Sequence, residues 1–172
     1  MTKLIPFTAL AALVLATLGT AQAADVTFAA GQSSESTTVL RTGVQIDFGK
    51  SWWQSDTGRL SGYWDASYTY WDGESTASNH TLSFSPVFVY EFAGERVRPY
   101  LELGIGLAAF ENTQLEGRDL GSSFQFEDRI GAGLRFGQGH EIGLRAIHYS
   151  NASLKQPNDG IENILLHYRM SL

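Results

Sequence analysis

The sequence contains no cysteine among its 172 residues. This absence excludes a disulfide framework, a thiol nucleophile and a thiolate metal site. Basic residues are also scarce, because 12 lysines and arginines are outnumbered by 18 aspartates and glutamates, which gives a net charge of −6. A general nucleic-acid-binding protein would carry the opposite charge, so we expect no nucleic-acid partner.

Long apolar runs are missing beyond the first residues of the chain. The only such run extends from Leu4 to Leu18, and no later stretch reaches the ~20 residues that a membrane-spanning helix needs. A lysine at position 3 precedes the run and Ala21-Gln22-Ala23 follows it, which is typical of a secretory signal peptide. We predict a signal peptide over residues 1–23 and one mature domain over residues 24–172. The alternative, a retained N-terminal anchor, lacks a stop-transfer flank.

Within the mature domain, apolar and polar residues alternate with period two, which is typical of strands with one apolar face. Eight segments alternate in this way, and most have ten or more residues. Strands of soluble proteins usually have about 5–6 residues, whereas strands that cross a membrane need about 9–11. The apolar positions include Phe28, Leu40, Trp64, Phe84, Leu101, Ile130, Leu144 and Leu166.

The second face of these strands carries glycines and charges of both signs, among them Arg41, Glu102, Glu127, Arg129 and Arg145. This mixture suits the narrow, polar interior of a small eight-stranded barrel, in which arginines and glutamates can pair. The alternative is a soluble lipocalin-like barrel or sandwich, in which the apolar face would point inward and the charges outward.

The connections between the strands are long and short in turn. Long polar connections occur around residues 31–38, 72–79, 111–122 and 152–160, and short ones around 54–58, 93–96 and 137–139. Long external loops and short periplasmic turns are the pattern of outer-membrane barrels. We therefore predict an all-β, eight-stranded, antiparallel, up-and-down transmembrane barrel, integral to the bacterial outer membrane, with both termini on the periplasmic side.

Aromatic residues near the predicted long loops suggest a girdle at the outer membrane interface. The candidates for this girdle are Tyr68, Tyr70, Trp71, Phe110, Phe124 and Tyr149.

A histidine and a serine lie two residues apart near the end of the seventh predicted strand. His148 and Ser150 therefore share one strand face, and they are in phase with apolar residues such as Leu144. Glu162 begins the eighth strand in phase with its apolar face, so all three side chains should meet on the outer wall near the outer leaflet. Serine as nucleophile, histidine as base and glutamate as its orienting partner would hydrolyse an ester.

Two further sets of residues near this patch each have more than one possible role. Asn151, or the backbone N–H groups of Ala152 and Ser153, could donate hydrogen bonds to the oxyanion. Asp128 has the outward phase in strand six and either belongs to the site or pairs with a neighbouring arginine, Arg129 or Arg135. The alternative to catalysis for the whole patch is a polar cluster that caps the barrel rim.

Several stretches of the sequence resemble the PagL family of outer-membrane lipid A 3-O-deacylases. They are His-Tyr-Ser-Asn-Ala at 148–152, Leu-Lys-Gln-Pro-Asn-Asp-Gly-Ile-Glu at 154–162, Ser-Trp-Trp-Gln at 51–54 and Phe-Glu-Asp-Arg-Ile-Gly-Ala-Gly at 126–133. The resemblance covers nearly the whole mature chain, and its C-terminal motif is specific. Ser153 is a departure, because we expect glycine there in the family.

The resemblance implies a serine esterase with the triad Ser150, His148 and Glu162 on the outer barrel surface. It implies hydrolysis of the ester-linked 3-hydroxyacyl chain at position 3 of lipid A in lipopolysaccharide, with no cofactor and no metal, and a possible homodimer. Asn151 and Phe126 match positions that surround the family's active site. Two rival hypotheses are a non-enzymatic barrel for adhesion or mechanical support, and an acyltransferase that passes the acyl chain to a second lipid.

Overall fold

Eight strands form a closed antiparallel barrel in the computed structural model, which describes residues 24–172. The predicted signal peptide lies outside the described residues. The strands are β1 (Ala24–Ser33), β2 (Thr38–Asp47), β3 (Gly58–Asp72), β4 (Asn79–Phe92), β5 (Val97–Phe110), β6 (Phe124–Phe136), β7 (His140–Ser150) and β8 (Ile161–Ser171). Each strand pairs with its neighbour in sequence, and β8 pairs with β1 to close the barrel. The predicted fold class is confirmed.

Three further strands are short and lie outside the barrel wall proper. Trp52–Ser55 folds back on the start of β3, and Gln114–Leu115 pairs with Arg118–Asp119 in a small hairpin. Among residues 24–172, no helix has the length and apolar character needed to cross a membrane.

The apolar face of the strands points away from the barrel axis. Ile105, Ile130 and Ile164 are 64%, 61% and 65% exposed, whereas the residues that alternate with them are buried. A soluble barrel would bury these side chains in its centre, so the lipocalin-like alternative is wrong.

Ion pairs fill the interior of the barrel. Arg41 donates to Asp65 at 3.1 Å and to Glu127 at 2.9 Å, and Arg129 donates to the same two carboxylates at 3.1 and 2.6 Å. All four side chains are almost completely buried. Buried charges need such pairing because removal from water is costly for each ion, and the predicted pairing of arginines with glutamates is confirmed here.

Three of the residues predicted for the outer aromatic girdle lie inside the barrel instead. Trp71, Phe110 and Tyr149 are 0%, 3% and 0% exposed, and their ring centroids lie 5.1–5.7 Å apart. They have the inward phase of their strands, so the girdle prediction was wrong for these three. They form an apolar layer between the interior ion pairs and the loops.

Proline residues are unusual inside a strand because they cannot donate to the ladder. Pro86 lies in the middle of β4, away from both strand ends. The pairing of β4 with β5 stops after Phe84 and resumes at Val87 in the same register, whereas the pairing of Pro86 with Trp64 of β3 is kept. The absent N–H group of Pro86 thus interrupts the pairing of β4 with β5 but not its pairing with β3.

Four connections lie together at one end of the barrel, which we call the long-loop end after loops 3 and 4. They are loop 1 (34–37), loop 2 (73–78), loop 3 (111–123) and loop 4 (151–160). Loop 1 is shorter than predicted because β1 and β2 extend further. At the other end, 93–96 and 137–139 are short turns, whereas the first connection (48–57) is longer than predicted and contains the short strand Trp52–Ser55.

The loops hold one another through side chains. Glu116 of loop 3 accepts hydrogen bonds from the backbone and hydroxyl groups of Ser75 and Thr76 in loop 2. Arg118 of loop 3 donates to Glu35 of loop 1 at 2.6 Å, and the Asp119 N–H donates to the Asp159 carboxylate of loop 4 at 2.8 Å. Loop 3 therefore connects the other three loops.

Candidate active site

The strand register brings His148 and Glu162 together on the outer wall. The two residues are direct neighbours across the antiparallel pair of β7 and β8. The Nδ1 atom of His148 lies 2.8 Å from Oε1 of Glu162, and the two side chains are 41% and 53% exposed. A carboxylate at Nδ1 favours the tautomer with a proton on that nitrogen, which leaves Nε2 free to accept a proton.

Ser150 lies on the same face of β7 as His148 and is partly exposed. Its strand partner on β6 is Phe126. No hydrogen bond joins the Ser150 hydroxyl to His148 within residues 24–172. Catalytic hydrogen bonds are often long or poorly aligned before substrate binds, so this arrangement is compatible with a nucleophile and its base.

An apolar wall flanks the serine. Phe126 is the direct neighbour of Ser150 across β6 and β7, on the outward face, and its ring meets Phe124 edge to face at 5.3 Å. Phe126, extended by the ring of Phe124, forms an apolar surface of the kind that an acyl chain would contact. The predicted position of Phe126 next to the site agrees with this geometry, and its role in substrate binding stays a prediction.

The side chain of Asn151 points into the barrel, away from Ser150. Asn151 is completely buried, and its Nδ2 donates to the carbonyl oxygens of Leu120 and Lys155, both at 2.9 Å. Its backbone N–H donates to Oδ1 of Asn158 at 2.8 Å. All of its donors are used in this structure, and the role of Asn151 as an oxyanion donor stays a prediction. Asn151 instead ties loop 4 to loop 3.

A tight turn follows the serine. Ala152 and Ser153 both have positive φ angles, 52° and 61°, and the Leu154 N–H donates to the Asn151 carbonyl at 3.0 Å. Two consecutive positive φ values are typical of a type I′ turn. Within residues 24–172 the Ala152 and Ser153 N–H groups make no hydrogen bond, so they are the available backbone donors next to Ser150.

A second carboxylate flanks His148 on its other side. Asp128 of β6 is the direct strand neighbour of His148 and is exposed. Arg129 and Arg135 are buried in the interior, so the expected ion pair of Asp128 with either arginine is absent from the described part of the chain. His148 thus lies between two outward carboxylates and is bonded to only one of them.

The strand pattern assigns no role to two residues that support this region. Leu120 of loop 3 and Asn158 of loop 4 both bind Asn151, and Leu120 is completely buried. Neither belongs to an alternating segment, so the period-two pattern contains no signal for them. Among residues 24–172, no group of three or more histidine, aspartate or glutamate side chains is arranged to hold a metal ion.

Hydrogen bonds change the acidity of two loop residues at this end of the barrel. The bonds from Ser75 and Thr76 lower the pKa of Glu116 from 4.5 to about 2. The hydrogen bond to Glu35, together with the charge of that carboxylate, raises the pKa of Arg118. Both loop contacts therefore remain charged at neutral pH.

Comparisons with known proteins identify relatives of the chain in sequence and in fold. The sequence model of the lipid A 3-O-deacylase (PagL) family matches residues 38–171. The chain is 56% identical over its full length to the full-length lipid A deacylase PagL of Pseudomonas aeruginosa, and 38% identical to that of Bordetella bronchiseptica over 70% of this chain and 65% of the relative. A crystal structure of the outer membrane enzyme PagL superimposes with a TM-score of 0.84 at 57% identity, covering 86% of this chain and 99% of that one.

Proposed function

The chain belongs to the PagL family of lipid A 3-O-deacylases, and we propose that it hydrolyses the 3-hydroxyacyl ester at position 3 of lipid A with Ser150, His148 and Glu162. The family and the barrel make the protein an ester hydrolase integral to the outer membrane. The assignment of the triad to these residues, and of the active site to the outer leaflet, is our proposal.

The observation that carries the proposal is the 2.8 Å contact between His148 Nδ1 and Glu162 Oε1, on the same wall as Ser150. His148 Nε2 removes the proton of Ser150, whose Oγ attacks the ester carbonyl and forms a tetrahedral intermediate. His148 then gives the proton to the departing sugar oxygen at position 3. Glu162 orients the ring and stabilises its protonated form.

Water completes the reaction. His148 takes a proton from a water molecule, the resulting hydroxide attacks the acyl-serine carbonyl, and the 3-hydroxy fatty acid leaves as Ser150 regains its proton. The N–H groups of Ala152 and Ser153 are the proposed donors to the oxyanion in both steps, since they follow Ser150 and are not otherwise engaged. The ring of Phe126 is proposed to contact the acyl chain beside the scissile ester.

The location of the site suits a membrane substrate. The three side chains lie at the long-loop end of the outward, apolar wall, and long loops face the cell exterior in barrels of this kind. An ester near the interface of the outer leaflet would reach Ser150 without leaving the membrane. The proposal therefore places lipid A beside the barrel, not in its interior, which is filled with side chains.

Mass spectrometry of lipid A from cells that express the chain tests this proposal. Wild-type protein is expected to remove one 3-hydroxyacyl group, and Ser150→Ala to leave lipid A unchanged. Ser55→Ala is a matched control, because that serine lies in the short strand at the opposite end of the barrel. Unchanged lipid A with the wild type would support a non-enzymatic barrel, and a heavier lipid product would support an acyltransferase.

The family resemblance also leads us to propose a homodimer. Chemical crosslinking in native outer membranes should give a dimer band at low expression levels. A monomer band alone, under conditions that crosslink a known dimeric barrel, would contradict this part of the proposal.

A further inference from the structure

Tyr149 lies between the two proposed catalytic residues of β7, and its side chain points to the opposite side of the barrel wall. Strand alternation puts His148 and Ser150 outside and Tyr149 inside, where it is completely buried. Of three consecutive residues, two therefore lie on the outer face, where the proposed reaction takes place, and one lies in the interior.

The hydroxyl of Tyr149 is part of the interior ion pairs. It donates to Oε2 of Glu127 at 3.0 Å and accepts from Nη1 of Arg41 at 2.9 Å. The ring packs edge to face against Trp71 and Phe110, with centroid separations of 5.7 and 5.1 Å. Hydrogen bonds to charged partners are stronger than neutral ones, so Tyr149 has one well-defined orientation.

The backbone at Ser150 has fewer constraints than the rest of the strand. The ladder between β7 and β8 ends at the pair of Tyr149 and Ile161, so Ser150 has a strand partner only on the β6 side. Glu127 is the β6 neighbour of Tyr149 and also the acceptor of its hydroxyl. Tyr149 is thus the last residue of β7 with a strand partner on both sides. It contacts Glu127 both as a strand neighbour and through its hydroxyl.

From this arrangement we propose that Tyr149 is a positioning residue for the nucleophile, an inference that rests on the proposed function. Its hydroxyl, fixed between Glu127 and Arg41, holds the end of β7 so that Ser150 and His148 remain aligned on the outer face. Small displacements of reacting groups have large effects on rate, and a shift of about 1 Å can cost up to about 100-fold.

The test uses Tyr149→Phe, which keeps the ring and removes only the hydroxyl. Glu127 remains paired with Arg41 and Arg129, so the barrel should still fold. With purified protein and lipid A in detergent micelles, kcat should fall about 10-fold to 100-fold while KM changes less than about twofold.

Tyr63→Phe is the matched control. Tyr63 is a second buried tyrosine whose hydroxyl donates to a carboxylate, Glu102 at 2.6 Å, and accepts from an arginine, Arg145 at 3.2 Å. It lies on β3, and Arg145 is five positions before Ser150 on β7. The same chemical change should lower the stability of the barrel without lowering kcat.

A second measurement does not depend on lipid A. The rate at which a fluorophosphonate labels Ser150, measured on folded protein separated by gel mobility, should fall in Tyr149→Phe and stay at the wild-type value in Tyr63→Phe.

Equal kcat and equal labelling rates in Tyr149→Phe and wild type would overturn the positioning role. An equal loss in both tyrosine variants would also overturn it, because the effect would then be one of general stability. A wild-type protein that releases no acyl chain would contradict the proposed function instead.

Discussion

Strands β7 and β8 carry two histidine–carboxylate pairs that are alike in length and opposite in surroundings. On the outer wall, His148 and Glu162 lie 2.8 Å apart and are 41% and 53% exposed. In the interior, His167 and Glu141 lie 2.9 Å apart, and both side chains are completely buried. The distance between ring nitrogen and carboxylate therefore does not distinguish the pair that we propose to be catalytic from the buried structural pair.

The partners of each pair make the difference. His148 uses Nδ1 for its carboxylate and keeps Nε2 available, and a serine follows two residues later on the same face. His167 directs Nε2 to both Glu141 and Tyr100, and Glu141 also accepts from Arg135 at 2.7 Å. The interior pair is completely surrounded by protein, whereas the outer pair is exposed, so that a substrate can reach it.

The largest difference between the pairs should appear when each histidine is removed. His148→Ala should reduce acyl release by about 10³-fold or more, because the general base is lost, while the barrel stays folded. His167→Ala should destabilise the barrel by about 2–4 kcal/mol through a cavity and a disrupted buried network. Acyl release per folded molecule and urea unfolding in lipid vesicles measure the two effects. Full activity of His148→Ala would remove the distinction between the pairs.

The two carboxylates beside His148 should also differ. Glu162→Gln should lower activity by about 10²-fold to 10⁴-fold, because the amide cannot stabilise the protonated ring. Asp128→Asn should change activity by less than about threefold, since Asp128 is an equal strand neighbour of His148 but is not bonded to it. Initial rates of acyl release for the two variants, side by side, decide the matter. A larger effect at Asp128 would exchange the roles of the two acids.

A substitution in the turn after Ser150 should have a smaller effect on activity. Ser153 has a φ of 61°, a left-handed conformation that costs a non-glycine residue about 1–2 kcal/mol. Ser153→Gly should relieve part of this strain and stabilise loop 4, with activity equal to or slightly above wild type. Protease protection of loop 4 and initial rates are the readouts. A large loss of activity would show that the serine side chain itself takes part in the site.

The smallest effect should come from the loops. Because the pKa of Glu116 is lowered to about 2, its contacts with loop 2 contribute stability above pH 4.5 and lose it as the pH falls toward 2. Glu116→Gln should therefore expose loop 2 to proteases at neutral pH and remove the acid dependence of its protection, with little change in acyl release. Limited proteolysis between pH 2 and pH 7 tests this, and an unchanged pH profile in the variant would contradict it.

The strand pattern contains most of the information about the outer site. Alternation alone puts His148, Ser150 and Glu162 on the apolar face, because a strand has only two faces and the phase is set by neighbours such as Leu144. The same rule places Trp71 and Tyr149 inside, yet proximity to loops suggested a girdle, and the phase was the better guide.

The packing of the loops cannot be predicted from the alternating strand pattern. The burial of Asn151 depends on Leu120, which is 31 residues away, and the contact of Glu116 with loop 2 joins residues 40 or more apart. No local periodicity encodes such contacts, since they depend on how the loops pack after the barrel has closed. The packing of Asn151 against loop 3 is therefore the part of this region that the strand pattern predicts least.

The most direct test of the outer pair is to identify the residue that it activates. Folded protein treated with a fluorophosphonate, digested and analysed by tandem mass spectrometry should carry the label on Ser150, and His148→Ala should abolish labelling. The buried pair predicts no such dependence, so labelling should persist in the folded fraction of His167→Ala. A label on another serine of an active enzyme, or undiminished labelling of Ser150 in His148→Ala, would contradict the account.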